Sequence, residues 1–329
     1  MPLPRYKQIN VEETPFYHCT TRCVRQSFLC GVDRTTGIDY EHRRQWIVDR
    51  MHSLSEAFAI DLCAYAVMHN HIHVVLHIAK GRSDSWSMDE VILRWRKFYK
   101  CPSIIQRYLS LKDKSELHDD EIKEVHKIAS VYRQRLQCIS WFMRMLNEYI
   151  ARKANKEDKC TGYFWERRFR SQAILDERAL AAVMAYVDLN PIRAGIAKTP
   201  ITSDFTSIKY RLNAERVGKT PKYIALFKDH TEKNTHRHTL PFTMREYVKL
   251  LDQTRQVSTK PTLSTTPENN YVLIHSVKTS LNAWQTLSSQ FEHIFKCSAG
   301  TPSAIKHFAN ACNYGHSPNT NVVAKLLRQ

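Results

Sequence analysis

Residues 68–78, MHNHIHVVLHI, carry the pattern on which the reading of the fold turns. The run Ile72–Ile78 is apolar and β-branched except at its histidines, which marks a strand. Side chains alternate along a strand, so His71 and His73 share one face while Ile72 and Val74 take the other. Two imidazoles on one face of a rigid strand can hold a single divalent cation, with the apolar face fixing them against a core. Partly exposed strand histidines that hold no metal are the plainer alternative. His77 falls on the same face further along, either to contact phosphate or to be solvated. A second such pair, His236 and His238, sits in NTHRHT (234–239) with no apolar strand around it and reads as loop.

Working outward, Ala59–Val67 reads as another strand. The break Met68-His69-Asn70 suits a turn, so the two strands should pair antiparallel. FYHCTTRCV (16–24) alternates and is a further strand. Residues 41–58 place Trp46, Ile47, Met51, Leu54 and Phe58 at helical spacing. From about 81 to 137 the chain is charged and helical in character, with RWRKFYK (94–100) and ELHDDEIKE (116–124), and reads as an insertion on the surface of a compact domain. An amphipathic helix follows over 138–155, then the basic-aromatic loop GYFWERRFRS (162–171). A helix begins near Asp176 and ends at Asn190-Pro191, because proline disfavours helix in the residue before it. Residues 257–270, VSTKPTLSTTPENN, read as a linker. Beyond it Trp284, Leu287, Phe291 and Phe295 mark a helix and Ile305–Ala311 another. The expected class is α+β.

AYVDLNPIRAGIA (185–197) sets Tyr186 and Asn190 four residues apart, on one face of a helix. A phenol can be a covalent nucleophile, but its free pKa of about 10 requires a polarised electrophile. The other reading is a core tyrosine on a helix capped by Asn-Pro. Composition narrows the classes. With 43% hydrophobic and 25% charged residues the chain is globular rather than disordered. A net charge of +17, from 49 Lys and Arg against 32 Asp and Glu, points to a polyanionic partner. Only 8 glycines and no GxxxxGK make a phosphate-cradling ATP loop unexpected. No apolar run approaches the ~20 residues of a membrane span, and the N-terminus lacks the apolar core of a signal peptide, so the expected location is the cytoplasm, a bacterial cytosol or nucleoid. The nine cysteines read as buried thiols.

In order along the chain, FYHCTTRC (16–23), the Asn70-His71-Ile72-His73 block, FMRMLNEYIARKAN (142–155) with GYFWERRFRS, and AYVDLNPIRAG (185–195) resemble the single-tyrosine HUH transposases, and the REP-associated tyrosine transposase branch especially. The resemblance implies a ferredoxin-like antiparallel sheet with flanking helices, the HUH strand central. It places a transposase domain over 1–215, with the insertion at about 81–137, and leaves 216–329 as a mostly helical extension of unknown role. It implies Tyr186 as nucleophile, and Mg²⁺ or Mn²⁺ held by His71, His73 and Asn190. Asn190 is the weakest of these, since a neutral amide carbonyl is a poor ligand for a hard cation. Single-stranded or hairpin DNA would meet Arg22, Trp165, Arg167, Arg168, Phe169, Arg170 and Arg193. Trp95, Arg96, Lys97 and Lys100 offer a second basic-aromatic segment. Some relatives exchange the tyrosine helix between two subunits, so a homodimer is among the arrangements implied.

The expected reaction is attack of the Tyr186 phenol on a DNA phosphate, giving a 5′-phosphotyrosine and a free 3′-hydroxyl, followed by rejoining without ATP. A transposase-derived DNA-binding protein that does not cut is the first alternative. A metal-dependent hydrolase, in which the histidines activate water, is the second. A replication initiator or relaxase is the third.

Overall fold

The computed structural model describes residues 4–24, 29–33, 36–111, 116–229, 238–259, 279–314 and 319–327. In chain order these carry α1 (Arg5–Gln8), β1 (Phe16–Arg22), α2 (Arg43–Ala57), β2 (Ile60–Val67), β3 (His71–Ile78), α3 (Met88–Arg96), α4 (Ser103–Ser110), α5 (Asp119–Leu136), α6 (Ile139–Glu157), β4 (Arg170–Ile174), α7 (Glu177–Asp188) and α8 (Asn190–Arg193). Then follow α9 (Ser207–Arg216), β5 (Leu226–Phe227), β6 (Thr239–Leu240), α10 (Met244–Thr259), α11 (Leu281–Ser289), α12 (Phe291–Ile294), β7 (Ser298–Ala299), α13 (Pro302–Ala311) and α14 (Thr320–Leu327).

The class is α+β, built on a mixed five-stranded sheet in the order β2-β3-β1-β4-β7. β3 pairs antiparallel with both β1 and β2, β1 antiparallel with β4, and β7 parallel to β4. The expected β2–β3 hairpin is present, closed where the Met68 N–H donates to the His71 carbonyl at 2.9 Å. Alternation then sorts the strands into two cores. Ile72, Val74 and Leu76 of β3, with Tyr17 and Cys19 of β1, pack with the apolar residues of α2 and α6. Val75 on the opposite face joins α7. There β2 presents Ala64 and Ala66 while α7 presents Ala181, Ala182 and Ala185, all fully buried. Small residues on both surfaces let the helix lie close to the sheet.

Residues 81–137 are not confined to the surface. Trp86, Val91, Ile92, Trp95, Val125 and Tyr132 belong to the same core as the strands, and Trp95 stacks on Tyr132 at 4.7 Å. Their apolar residues recur at helical spacing, but the charge between them masks that pattern in the sequence. The helix expected to end at Asn190-Pro191 breaks one residue earlier instead. Leu189 caps α7, and α8 restarts at Asn190 with Pro191 in its first turn, where a missing N–H costs nothing.

Residues beyond 215 do not stand apart from the rest. β7 extends the main sheet, Trp284 and Phe291 are buried against the α7 core, and Tyr247 of α10 donates to the buried Asp188 carboxylate at 2.7 Å. Of the expected linker, 257–259 end α10, and 260–270 lie outside the described residues, as does His236. Among the described residues no helix is long and apolar enough to cross a membrane.

Candidate functional site

Antiparallel pairing puts directly opposite residues on one face. His73 lies opposite Thr20 and His71 opposite Arg22, and on β1's other side Thr20 lies opposite Arg170 and His18 opposite Gln172. The face carrying His71 and His73 therefore also carries His18, Thr20, Arg22, Arg170 and Gln172. This is the face that α7 crosses.

Two anchors hold α7 in place. At its start Asp176 caps the helix, accepting from the Ala179 N–H at 2.8 Å, and its second oxygen accepts from the Thr301 N–H at 2.7 Å. At its end the fully buried Asp188 accepts from the Ser207 hydroxyl, the Ile208 N–H and the Tyr247 hydroxyl. Burial pushes the Asp188 carboxyl up despite those three donors. With the helix held at both ends, the Tyr186 ring stands edge-on to His73 at 5.5 Å and to His18 at 6.2 Å. Phe291 of α12 packs alongside at 6.1 Å.

His71 and His73 are neighbours, with ring centroids 4.7 Å apart. His71 Nδ1 lies 2.6 Å from Asn70 Oδ1, and His73 Nε2 lies 3.1 Å from the Asn190 amide. Burial lowers both imidazoles, His71 to about 4 with help from Arg22 and His69, and His73 well below its usual value with help from His71 and His18. Both are therefore neutral at pH 7, the state a metal ligand requires. Tyr186 moves the opposite way. Burial and the Glu292 carboxylate raise its phenol to about 12, against the pull of the Arg193 guanidinium and the Asn190 amide.

The site opens into a cleft of about 540 Å³, lined by Arg22, Arg167, Arg168 and Arg170 together with His71, His73, Tyr186 and Asn190, and with Glu166 and Glu292 as its acidic members. A larger cavity of about 1500 Å³ lies elsewhere, beside α3 and residues 218–222. Its wall mixes Glu56, Asp61, Asp89 and Glu90 with Arg82, Arg94, Lys97, Lys219 and Lys222, so its charges nearly balance, and among the described residues no histidine, cysteine or tyrosine lines it. Chemistry, rather than size, makes the smaller cleft the candidate.

The structure thus brings His71, His73, Tyr186, Asn190, Arg22, Arg167, Arg168 and Arg170 together around one cleft. Arg193 lies just behind it. Its Nη1 donates to the Tyr186 carbonyl at 3.2 Å, its guanidinium lies 5.9 Å from the phenol ring, and its Nη2 is buried with no hydrogen-bond partner among the described residues. Burial lowers Arg193 to about 10. Of the two expected stacking aromatics, Phe169 is turned inward and Trp165 is half-buried. Phe169 is buried, because it alternates with Arg168 and Arg170 along the chain. Trp165 packs on the core, its indole N–H donating to the Asn147 carbonyl at 2.8 Å. Trp95 is likewise core, whereas Phe98 and Tyr99 of the same segment are half-buried.

Sequence reasoning missed His18, Gln172 and Glu292. The signal for His18 was present, since the first residue of HCTTR sits one alternation from Thr20. Pairing it with β3, however, requires the register. Glu292 gave no signal, because nearly 220 residues separate it from the histidine strand. Yet ligand atoms of His18, His73 and Glu292 all lie within 4.8 Å of one another. Two imidazoles beside a carboxylate are donor types that a divalent cation takes.

No protein-family model matches the chain, and no curated protein matches it. Among solved structures it is similar to a REP-associated tyrosine transposase bound to a REP hairpin, at 15% sequence identity over 65% of this chain and 86% of that one, with a TM-score of 0.31.

Proposed function

We propose that the chain is a transposase-type DNA strand transferase that cuts and rejoins single-stranded or hairpin DNA through Tyr186. One observation carries this reading. A tyrosine and two neutral histidines, from elements more than a hundred residues apart in sequence, converge on a cleft bordered by four arginines. The strand order β2-β3-β1-β4, read along β1-α2-β2-β3-α6-β4, supports a ferredoxin-like arrangement with the histidine strand inside the sheet.

In this reading Arg22, Arg167, Arg168 and Arg170 draw in the DNA backbone and hold a phosphate over the strand face. His71, His73 and Asn190 would hold Mg²⁺ or Mn²⁺. A bound divalent cation would polarise the scissile phosphate and oppose its developing charge. Asn190 would then turn its amide to present the oxygen. Tyr186 attacks in line. The phosphorus gains a bond to the phenol oxygen and loses its bond to the 3′-oxygen of the preceding nucleotide, which leaves with the bonding pair and takes a proton from water to become the 3′-hydroxyl. The phenol proton must depart first, and Glu292 is the carboxylate within its reach. Arg193 opposes the cost of phenolate charge at a buried position. Because the phosphotyrosine keeps the energy of the broken bond, a second 3′-hydroxyl can reverse the step without ATP.

The test is incubation of the full chain with hairpin-tipped single-stranded DNA and Mn²⁺. Wild type should give a denaturation-resistant protein–DNA adduct and Tyr186→Phe none, with DNA affinity retained. DNA binding with no adduct from wild type would leave the second reading, a DNA-binding protein that does not cut. That reading draws on the raised Tyr186 phenol, which disfavours the nucleophilic form. Turnover that persists in Tyr186→Phe would mean hydrolysis by activated water.

A further inference from the structure

His73 touches two different partners through its two ring nitrogens. Nε2 faces Asn190 and the cleft, whereas Nδ1 faces His18 Nε2 at 3.0 Å. The His18 and His73 rings are 13° from parallel with centroids 5.3 Å apart, an end-to-end arrangement in which one nitrogen must donate and the other accept. Which one donates is settled from the far end of the row. The Gln172 Nε2 donates to the Lys296 carbonyl at 3.4 Å, and a carbonyl can only accept, so the amide oxygen is the end turned toward His18. That oxygen lies 3.2 Å from His18 Nδ1 and can only accept in turn. His18 therefore carries its proton on Nδ1 and offers a lone pair at Nε2. His73 then donates from Nδ1, and its Nε2 is left unprotonated. Glu292 Oε1, 3.9 Å from the same Nδ1, favours a proton there as well.

Resting on the reading of His73 as a metal ligand, we propose that Gln172 and His18 are positioning residues that hold His73 in the tautomer whose Nε2 presents a lone pair to the cleft. All three side chains are buried, so no water competes for these bonds. They also come from three adjacent strands, with Gln172 directly opposite His18 and His73 diagonal to it, so the sheet itself sets the spacing. A ligating histidine whose other nitrogen is held by a hydrogen bond has both its ring orientation and its tautomer fixed. The competing arrangement, a cation held directly between His18, His73 and Glu292, requires the opposite tautomer, with the His73 proton on Nε2.

The experiment is a long-range ¹H–¹⁵N imidazole spectrum of the metal-free full chain, with His73 identified by its loss in His73→Gln, followed by titration with Mn²⁺. Wild type should show His73 protonated at Nδ1. Gln172→Leu removes the terminal acceptor and frees His18 to reverse, so His73 should shift toward the Nε2-protonated form and Mn²⁺ affinity should fall about 10–100-fold. Gln172→Glu keeps an acceptor for His18 and should keep the wild-type tautomer. A wild-type His73 protonated at Nε2 overturns the proposal by itself, whether or not the variants fold. Wild-type tautomer and Mn²⁺ affinity in a folded Gln172→Leu would also overturn it. The expected tautomers in a chain that binds no Mn²⁺ would uphold the relay and instead count against the strand-transfer reading.

Discussion

The two ends of β3 present histidines on the same face of the same strand, and the molecule treats them in opposite ways. His77 is closed in. Its Nδ1 lies 3.2 Å from the Asp61 carboxylate, which also takes Arg82 at 2.8 Å, and His238 stacks on it at 3.9 Å beside Phe16. Burial would raise the Asp61 carboxyl, but His77 and Arg82 outweigh it and hold that group below the usual carboxylate range. His77 is therefore neither solvated nor free to take a phosphate, and His238, expected in a loop, is part of its lid. At the other end His73 has only the more distant Glu292 carboxylate at 3.9 Å, and among the described residues no ion pair involves His71. They rest on amide and imidazole partners and open toward arginines. A histidine held between a carboxylate and a stacked ring is structural, and one kept neutral beside an open, positive cleft remains available.

Exchanging the two ends should separate those roles. The largest effect is expected for His73→Ala, which should lower adduct formation by about three orders of magnitude, the value of several kcal/mol of lost transition-state stabilisation. His77→Ala should leave adduct formation within a few-fold, and equal losses in the two variants would erase the contrast. Next comes the anchor of the tyrosine helix. Asp188→Ala strips the acceptor from three buried donors and should cost about 3 kcal/mol in urea unfolding. A change below about 1 kcal/mol would show that α7 is held without it.

His77→Ala itself should cost about 1–3 kcal/mol, because Asp61 loses a buried partner while keeping Arg82. At the cleft, Arg167→Ala and Arg168→Ala should each reduce the slope of log affinity against log salt for single-stranded DNA by about 0.7, one phosphate contact apiece. An unchanged slope would remove that arginine from the interface.

The smallest effect is in pH. His71 titrates near 4 when folded and near 6.5 when unfolded. Between those values the unfolded chain holds a proton that the folded chain does not. The folded state is therefore unpenalised above pH 6.5 and loses stability as pH falls toward 4. Thermal melts across that window should show a shallower decline in His71→Gln than in wild type.

The strands, their alternation and the β2–β3 turn were legible because period-two patterning is written locally. So was the pairing of His71 with His73, two residues apart on one strand. Tyr186 and Asn190 were legible as a pair for the same reason, although the break at Leu189 puts them in different helices. The inward turn of Phe169 and the half-burial of Trp165 were not legible, since FWERRFRS carries aromatics and arginines in one run and only packing decides which of them reach solvent. Nor was the burial of α3 and α5, whose charged residues interrupt their apolar stripe.

By itself the sequence determined which residue types exist in which local order: a histidine-bearing strand, a tyrosine helix, a basic loop and an excess of positive charge. Tertiary structure decided which of them meet. The register of β1 against β3 and β4 brought His18 and Gln172 to His73, and the pairing of β7 with β4 brought the segment bearing Glu292 to the same end of the sheet. Contacts between segments distant in the chain depend on how buried surfaces fit, and no local pattern records that fit.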